Sequence, residues 1–402
     1  MYTTVNTSWK EMQEKNKLFI AVIFFWVAMY VYIPYQTTYL KAIGVASSQI
    51  GIIVGAYGIS QMLLRYPVGV LADRQNFHKV FILLGGGSAA AASVFRIILN
   101  NNLGFFIGNV LSGFASAMWI SFMVLYMRYY AEEEQRQATG KIVFANNIGM
   151  LGGFIISSLL YQLVGMQIIC VFSVLAGLIS FGFSFTLTAE KEKKQKRVDL
   201  QAQLALCHRK RLVLYSILAL VQQGIQAATA MSFSMQIVTG LGGNLKEVGI
   251  SSMIYMFSAV LWAKVSTTKQ CGKIPVRVLV SGIFFVNGLY LLLMPEVNLI
   301  GQIYILQILP GMATGLLFSC LTAEAMIGIA PEIKATAMGV YQTLYAVGIT
   351  IFPMIGGTIV QDISMRAAYR VFAMICLGTG IFVVFVWKWT NTAGKSKMQT
   401  KC

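Results

Sequence analysis

The sequence predicts an all-α membrane protein with twelve transmembrane helices in two six-helix bundles. Three observations carry that expectation. Hydrophobic residues make up 57% of the 402 and charged residues 11%, against roughly a quarter charged in ordinary globular domains. Apolar stretches of about 20 residues, each enough to cross about 30 Å of hydrocarbon, recur from end to end. The Lys and Arg residues, 31 in all, collect in alternate connections between those stretches, which is the positive-inside bias.

The apolar cores lie at 18–40, 49–70, 80–99, 103–126, 141–164, 167–188, 212–238, 248–264, 276–294, 299–327, 336–360 and 367–389. Each is expected to be a helix, because a backbone in lipid must satisfy its own hydrogen bonds. The segment 248–264 is the weakest, ending on Lys264. The first is too long for a cleavable signal peptide and lacks a small-residue cleavage site, so it reads as the first span. With each base assigned to its nearer helix end, Lys41, Arg96, Lys246, Arg366 and Arg370 fall on one side and the other 26 of the 31 on the side of the termini. Both termini are therefore expected in the cytoplasm, with the chain in a bacterial plasma membrane. The net charge of +17 sits in these connections, so it points to topology rather than to nucleic acid.

The longest connection, 189–211, carries eight bases and three acids and divides the chain. The expected organisation is a first bundle at 1–188, this linker, a second bundle at 212–390 and a cytoplasmic tail at 391–402. The second part of the linker reads either as a short amphipathic helix on anionic headgroups or as a solvated tether. A faint repeat supports two halves. Glu133, Gln135, Ala138 and Gly140 recur as Glu332, Lys334, Ala337 and Gly339, each offset by 199 residues and each following the fourth span of its half. Parallel halves of this kind belong to transporters with a midplane site.

Six scattered cysteines and two histidines, His78 and His208, make neither a disulfide framework nor a metal cluster. No cofactor or metal is expected. A membrane-embedded enzyme would need His, Asp or Glu clustered at one face, and a receptor would be expected to carry a sizeable extramembrane domain. Neither pattern is present in the sequence.

The connection between spans 2 and 3 is distinctive. "GVLADRQNFHK" (69–79) resembles the signature loop of the major facilitator superfamily, roughly G-x-x-x-D-[RK]-x-G-x-[RK]-[RK]. Gly69, Asp73, Arg74 and Lys79 match. Asn76 stands where glycine is usual, and His78 where a base is usual. The resemblance extends to the whole layout and implies a secondary transporter that moves a small organic solute by alternating access. It also implies that Asp73 is the acid of a cytoplasmic latch, with Arg74 and Lys79 in its charge network. Physically, Gly69 allows close helix approach, and Asp73 suits a positive helix N-terminus or a nearby Arg. The matching loop of the second half, 264–273, has Lys269 where the acid would fall and keeps Gly272 and Lys273, so a second latch is expected to be degenerate. Many proton-linked exporters of the family carry an Arg four residues before a Gly in helix 4. Here Asn109 precedes Gly113, and "NNIGMLGG" (146–153) lacks the exporters' Gly-Pro step. Both departures weigh against proton-coupled efflux of drugs or metabolites, the alternative reading.

No acid sits at mid-span. Arg65, Arg96, Lys264 and Lys388 read as end-of-helix residues whose heads reach water. Glu324 reads as a charge partner in the latch, or, less readily, as a carrier of a coupling proton. The solute-site candidates are uncharged: Tyr30, Gln61, Trp119, Asn146, Gln222, Gln226, Tyr341 and Tyr345. Gln222 and Gln226 share a helix face at i, i+4, where amides either contact a solute or tie helices together. Amides and phenols hydrogen-bond a neutral or zwitterionic solute while rings cover its apolar part. Tyr35 and Tyr39, by contrast, read as interface anchors. The expected partners are a small-molecule solute, with a coupling proton or ion left open, and the bilayer. The protein is expected to act as a monomer.

Overall fold

The structure, a computed structural model, describes residues 2–75, 77–130, 135–188, 200–266, 268 and 271–398. Asn76, Glu133, the 189–199 part of the basic connection, Lys269 and the last four residues lie outside the described residues. Every element among the described residues is helical.

α1 (Tyr2–Tyr30) and α2 (Ile33–Ala42) form the first span. They part beside Pro34, in the first turn of α2, where a ring without an N–H breaks the ladder at least cost. α3 (Ser47–Gln75) and α4 (His78–Leu99) are the second and third spans, and α5 (Asn102–Ala117) with α6 (Trp119–Arg128) forms the fourth. α7 (Gln135–Phe185) runs for 51 residues. A straight helix of that length would reach roughly 75 Å, far more than one bilayer crossing. Its backbone breaks at Gly165, where φ is 72° and ψ is 178°, a conformation open to glycine alone. The two parts are the fifth and sixth spans.

α8 (Leu200–Ala205) lies in the connection between the halves. α9 (Lys210–Ala228), a π-helical turn at Thr229–Phe233 and α10 (Ser234–Gly240) form the seventh span. The eighth is α11 (Leu245–Ser266) and the ninth is α12 (Val276–Leu293). α13 (Ile300–Leu306) and α14 (Ile308–Ala325) make the tenth, and α15 (Lys334–Asp362) and α16 (Met365–Met398) are the last two. The apolar surface turns outward, with Leu63, Leu159, Leu163 and Phe185 all well exposed. That is what a lipid solvent permits and water does not.

Within the first half α1 packs on α7, α4 on α5 and α7, and α3 on α5. Within the second half α9 packs on α14 and α15, α11 on α14, and α12 on α16. Two contacts dominate the join between the halves: α7 meets α11, and α3 meets α15 antiparallel along its length, with α2 also touching α10, α11 and the π-helical turn. Small residues set that second seam. Gly51 faces Pro353, Gly58 faces Thr350 and Ala346, and Gly69 faces Ala335.

The described part of the linker, 200–211, follows neither reading offered above. Gln203 of α8 is buried and its Nε2 donates to Thr336 Oγ1 at 2.9 Å, on the first turn of α15. Leu206 is buried beside it. The segment is neither a headgroup helix nor a free tether, because its one buried amide finds a partner on the helix end it crosses.

The break at Gly165 is testable. With cysteines introduced at the exposed positions Gln167 and Thr188, an impermeant maleimide should label the two from opposite sides of the membrane. Labelling of both from one side would return an uninterrupted segment and an eleven-span chain.

Candidate solute site and closing contacts

Both halves contribute rings to the middle of the molecule. Trp26 packs edge-on against Tyr30, with centroids 5.6 Å apart, and against Trp119 at 5.3 Å. Phe154 lies 6.0 Å from Tyr30. Tyr30 also lies close enough to Tyr57 of α3, Tyr255 of α11 and Tyr345 of α15 to interact with them electrostatically. The cluster therefore draws on the first, second, fourth, fifth, eighth and eleventh spans. Tyr345 packs against Tyr341 at 5.7 Å and Phe318 at 6.3 Å.

Polar groups thread this aromatic box. Tyr57 donates to Ser116 Oγ at 3.0 Å. Ser116 also receives Arg65, whose guanidinium donates to Ser116 Oγ at 2.8 Å and to the Ser116 carbonyl at 3.4 Å. The other arm of Arg65 donates to the Tyr345 hydroxyl, and the ion lies 4.8 Å from the centre of that ring. On the second half, Tyr255 and Thr314 hydroxyls are 3.1 Å apart.

The structure corrects the reading of the two arginines. Arg65 and Arg96 are each only 1% exposed and do not reach water. α3 continues to Gln75, so Arg65 lies ten residues inside the helix end, about 15 Å along the axis. Arg96 is nearer an end but turns inward. It donates to Ser93 Oγ, Asn109 Oδ1 and Ser112 Oγ and stacks 3.7 Å from the centre of the Tyr32 ring. Asn109 in turn donates to the Ile53 carbonyl at 2.7 Å. Tyr35 is corrected too. It is fully buried, stacks on Tyr161 at 3.9 Å and donates to the Leu245 carbonyl across the halves.

The predicted candidates divide. Tyr30, Trp119 and Tyr345 join the central cluster, with Tyr341 against its edge. Gln61 is buried but donates to the Tyr57 carbonyl at 3.3 Å, one turn back on its own helix. Asn146 is 9% exposed on α7. Gln226 ties α9 to α14 by donating to the Pro310 carbonyl and Thr314 Oγ1. Gln222, one turn earlier, is 1% exposed and neither amide atom has a partner among the described residues. A buried unpaired amide is costly, so Gln222 is the candidate whose bonding is left for something else. Sequence reasoning did not select Arg65, Ser116, Tyr255 or Trp26. A lone Arg inside an apolar run was the available signal for the first.

At the end bearing Arg74, Lys79 and Arg211, here termed the basic face, Asp73 Oδ2 accepts from the Thr336 backbone N–H at 2.7 Å and its hydroxyl at 2.6 Å. Thr336 lies in the first turn of α15, where free N–H groups and the helix dipole favour an anion. Gly69 sits one turn earlier. A Cβ there would come 2.7 Å from the Ala335 carbonyl, so the clasp needs the glycine. Lys79 donates to the Leu187 carbonyl, tying the third span to the end of the sixth. Arg74 is exposed. Glu324 pairs with Arg211 and accepts from Tyr215 at 3.2 Å, so its bonds stay within the second half.

The opposite face closes with neutral bonds. Tyr35 donates to the Leu245 carbonyl at 2.8 Å, Thr37 to the Ser232 carbonyl at 3.2 Å, and Ser158 to the Gly249 carbonyl at 3.1 Å. Ser232 belongs to the π-helical turn of the seventh span, a feature frequent at functional positions.

Long apolar helices around a buried cluster fed by both halves define a polytopic membrane protein. The chain belongs to the Major Facilitator Superfamily, whose family model matches residues 18–353. Over 113 residues it is 30% identical to the inner membrane transport protein YajR of Escherichia coli (strain K12). That match covers 28% of this chain and 24% of the relative's length. Among solved structures it resembles the nucleoside transporter NupG (D323A mutant), with a TM-score of 0.72 at 16% identity, covering 94% of this chain and 99% of that one. The second likeness is one of fold.

Asp73→Asn keeps the shape of the clasp and removes its charge, a loss of about 1–3 kcal/mol at a charged hydrogen bond. Transport should slow several-fold while the amount of folded protein in the membrane is unchanged. An unaltered turnover rate would remove Asp73 from the closing contacts.

Proposed function

We propose that this protein is a secondary transporter that carries a small organic solute across the plasma membrane by alternating access, working as a monomer with both termini in the cytoplasm. One observation supports this most: side chains from both halves converge on a buried polar and aromatic cluster, with separate inter-half contacts beyond it toward each face. Rocking the halves would break one set and keep the other. The direction of net movement then follows from how tightly the solute binds each state. The basic face takes the cytoplasmic side by the positive-inside rule, which makes Asp73 and Thr336 the inner clasp. Asn109, in the position where many proton-linked exporters of the family carry Arg, serves to hold Arg96, and so lends no weight to proton-coupled efflux.

A thermal-shift screen of the purified protein against a metabolite library should find solutes that raise its apparent stability. Counterflow of such a solute in proteoliposomes then tests movement directly. Binding without counterflow would refute transport of that solute and leave a receptor-like role.

The two amides of the seventh span should separate in that assay. Gln222→Ala should weaken solute affinity by about 1–2 kcal/mol, roughly 5- to 30-fold, with little change in melting temperature. Gln226→Ala should instead lower the melting temperature, because its bonds hold α9 to α14. Equal affinity in the Gln222→Ala protein would take that amide out of the site.

A further inference from the structure

We propose that Arg65 is a substrate-binding residue and that the transported solute carries an acidic group, a carboxylate or a phosphate. This rests on the transport reading above. The observations are of charge, depth and position. Arg65 is 1% exposed, ten residues inside α3. Its bonds go only to neutral acceptors, the Tyr345 hydroxyl and the Ser116 hydroxyl and carbonyl, and its Nε–H has no partner. Among the described residues, no carboxylate oxygen lies within 4 Å of it. Among the described residues, the acids of the spans, Glu14, Asp73, Glu247, Glu296, Glu324 and Asp362, all sit toward span ends. A buried cation left without a counter-ion is expensive, and in membrane proteins such groups mark substrate or ion paths.

Arg96 shows why position matters. It too is buried without a carboxylate and with an unpartnered Nε–H, but its bonds run to Ser93, Asn109 and Ser112, with the Tyr32 ring beneath, all in the first half. Such a residue fixes a bundle. Arg65 reaches from α3 to α15 across the seam that joins the halves, where a moving solute must pass. Tyr345 lies eleven residues into α15, about 16 Å along its axis, so the pair meets at one depth. Tyr57 lies close enough to feel the arginine's charge, and its hydroxyl meets the same Ser116 Oγ. The Nε–H is unbonded, and the terminal nitrogen on the same edge donates to Ser116, so a planar carboxylate taking that edge in bidentate fashion would displace Ser116. The rings of Tyr30, Trp119 and Phe318 supply apolar walls for the rest of the solute.

The test uses the full-length protein in detergent and in proteoliposomes. Thermal stability would be measured with benzoate, succinate, glycerol 3-phosphate and inorganic phosphate, the organic acids each set beside a neutral counterpart: benzamide, succinamide and glycerol. At least one acid should stabilise the wild type with an apparent affinity about tenfold or more above its counterpart. Arg65→Gln should abolish that preference. Arg65→Lys, which keeps the charge, should retain part of it and guards against a folding defect in the first variant. If the neutral counterparts stabilise as well as the acids, or if Arg65→Gln keeps the preference, the proposal is overturned. Counterflow separates this from the transport reading. A neutral solute moved at the wild-type rate by Arg65→Gln defeats the anion site and leaves transport standing. An acid that binds through Arg65 but is never moved defeats transport and leaves the site.

Discussion

The close approach of α3 to α15 is the contact on which the rest depends. Two antiparallel helices can run together over their whole length only where side chains are small, and here glycines at 51, 58 and 69 meet Pro353, Thr350 and Ala335. In lipid no hydrophobic force drives such contacts, because the tails are as apolar as the helices. Association comes from dispersion at short range and from polar bonds the short range makes possible. The Asp73 clasp and the Arg65–Tyr345 bond both belong to this seam and both need its narrow spacing. A wider seam would part the carboxylate from the helix end that holds it and leave the guanidinium without its partner in a medium that does not solvate it.

Charge is rationed in this molecule, and each buried charge is handled differently. Asp73 receives two hydrogen bonds from the start of a helix whose dipole points the right way, with the charge of Arg128 adding an attraction. Arg96 spends its donors on three neutral side chains and an aromatic face. Arg65 has as many bonds as Arg96 and the same bare Nε–H, but it sits at the seam between the halves. Where a fold tolerates such a deficit, the missing partner is either a second protein group in another conformation or something that arrives from outside.

Much of this architecture is legible in the sequence. Span number follows from counting apolar runs, and even the merged α7 is separable because Gly165 interrupts it at the predicted boundary. The motif around Asp73 locates the clasp, since its glycine and acid have spacing that topology alone does not demand. Depth within a span is much harder to read. The second apolar core was read as ending near 70, which put Arg65 by the headgroups; the helix runs on through Gln75, because the polar residues of the motif stay helical beyond the hydrocarbon. Tyr35 misled for a related reason. An aromatic near a span end is an anchor if it faces lipid and a tie between halves if it faces inward, and one-dimensional position does not distinguish the two. Gln222 and Gln226 share a face, yet only Gln226 is bonded, because the Pro310 carbonyl and Thr314 hydroxyl of α14 lie within its reach and no partner among the described residues lies within that of Gln222.

The two ends of the molecule close by different physics, and this bears on how the transport reading would work. Neutral hydroxyl-to-carbonyl bonds hold the far face, each worth about 1 kcal/mol net because water replaces it when the gap opens. The basic face uses a charge-assisted clasp, worth about 1.5–3 kcal/mol, reinforced by Gln203 on the same threonine. Opening the far face therefore costs several small, water-compensated steps, whereas opening the basic face means pulling one carboxylate from a helix end. The balance between the two openings is the difference between these costs. A bound solute shifts that balance only through contacts that differ between the two states. Arg65 and Tyr345 sit on opposite sides of the very seam whose lower end the clasp locks, so a ligand drawn between them would strain the same helix pair. Coupling between site and clasp then needs no relay of intervening residues: one stiff pair of helices carries both.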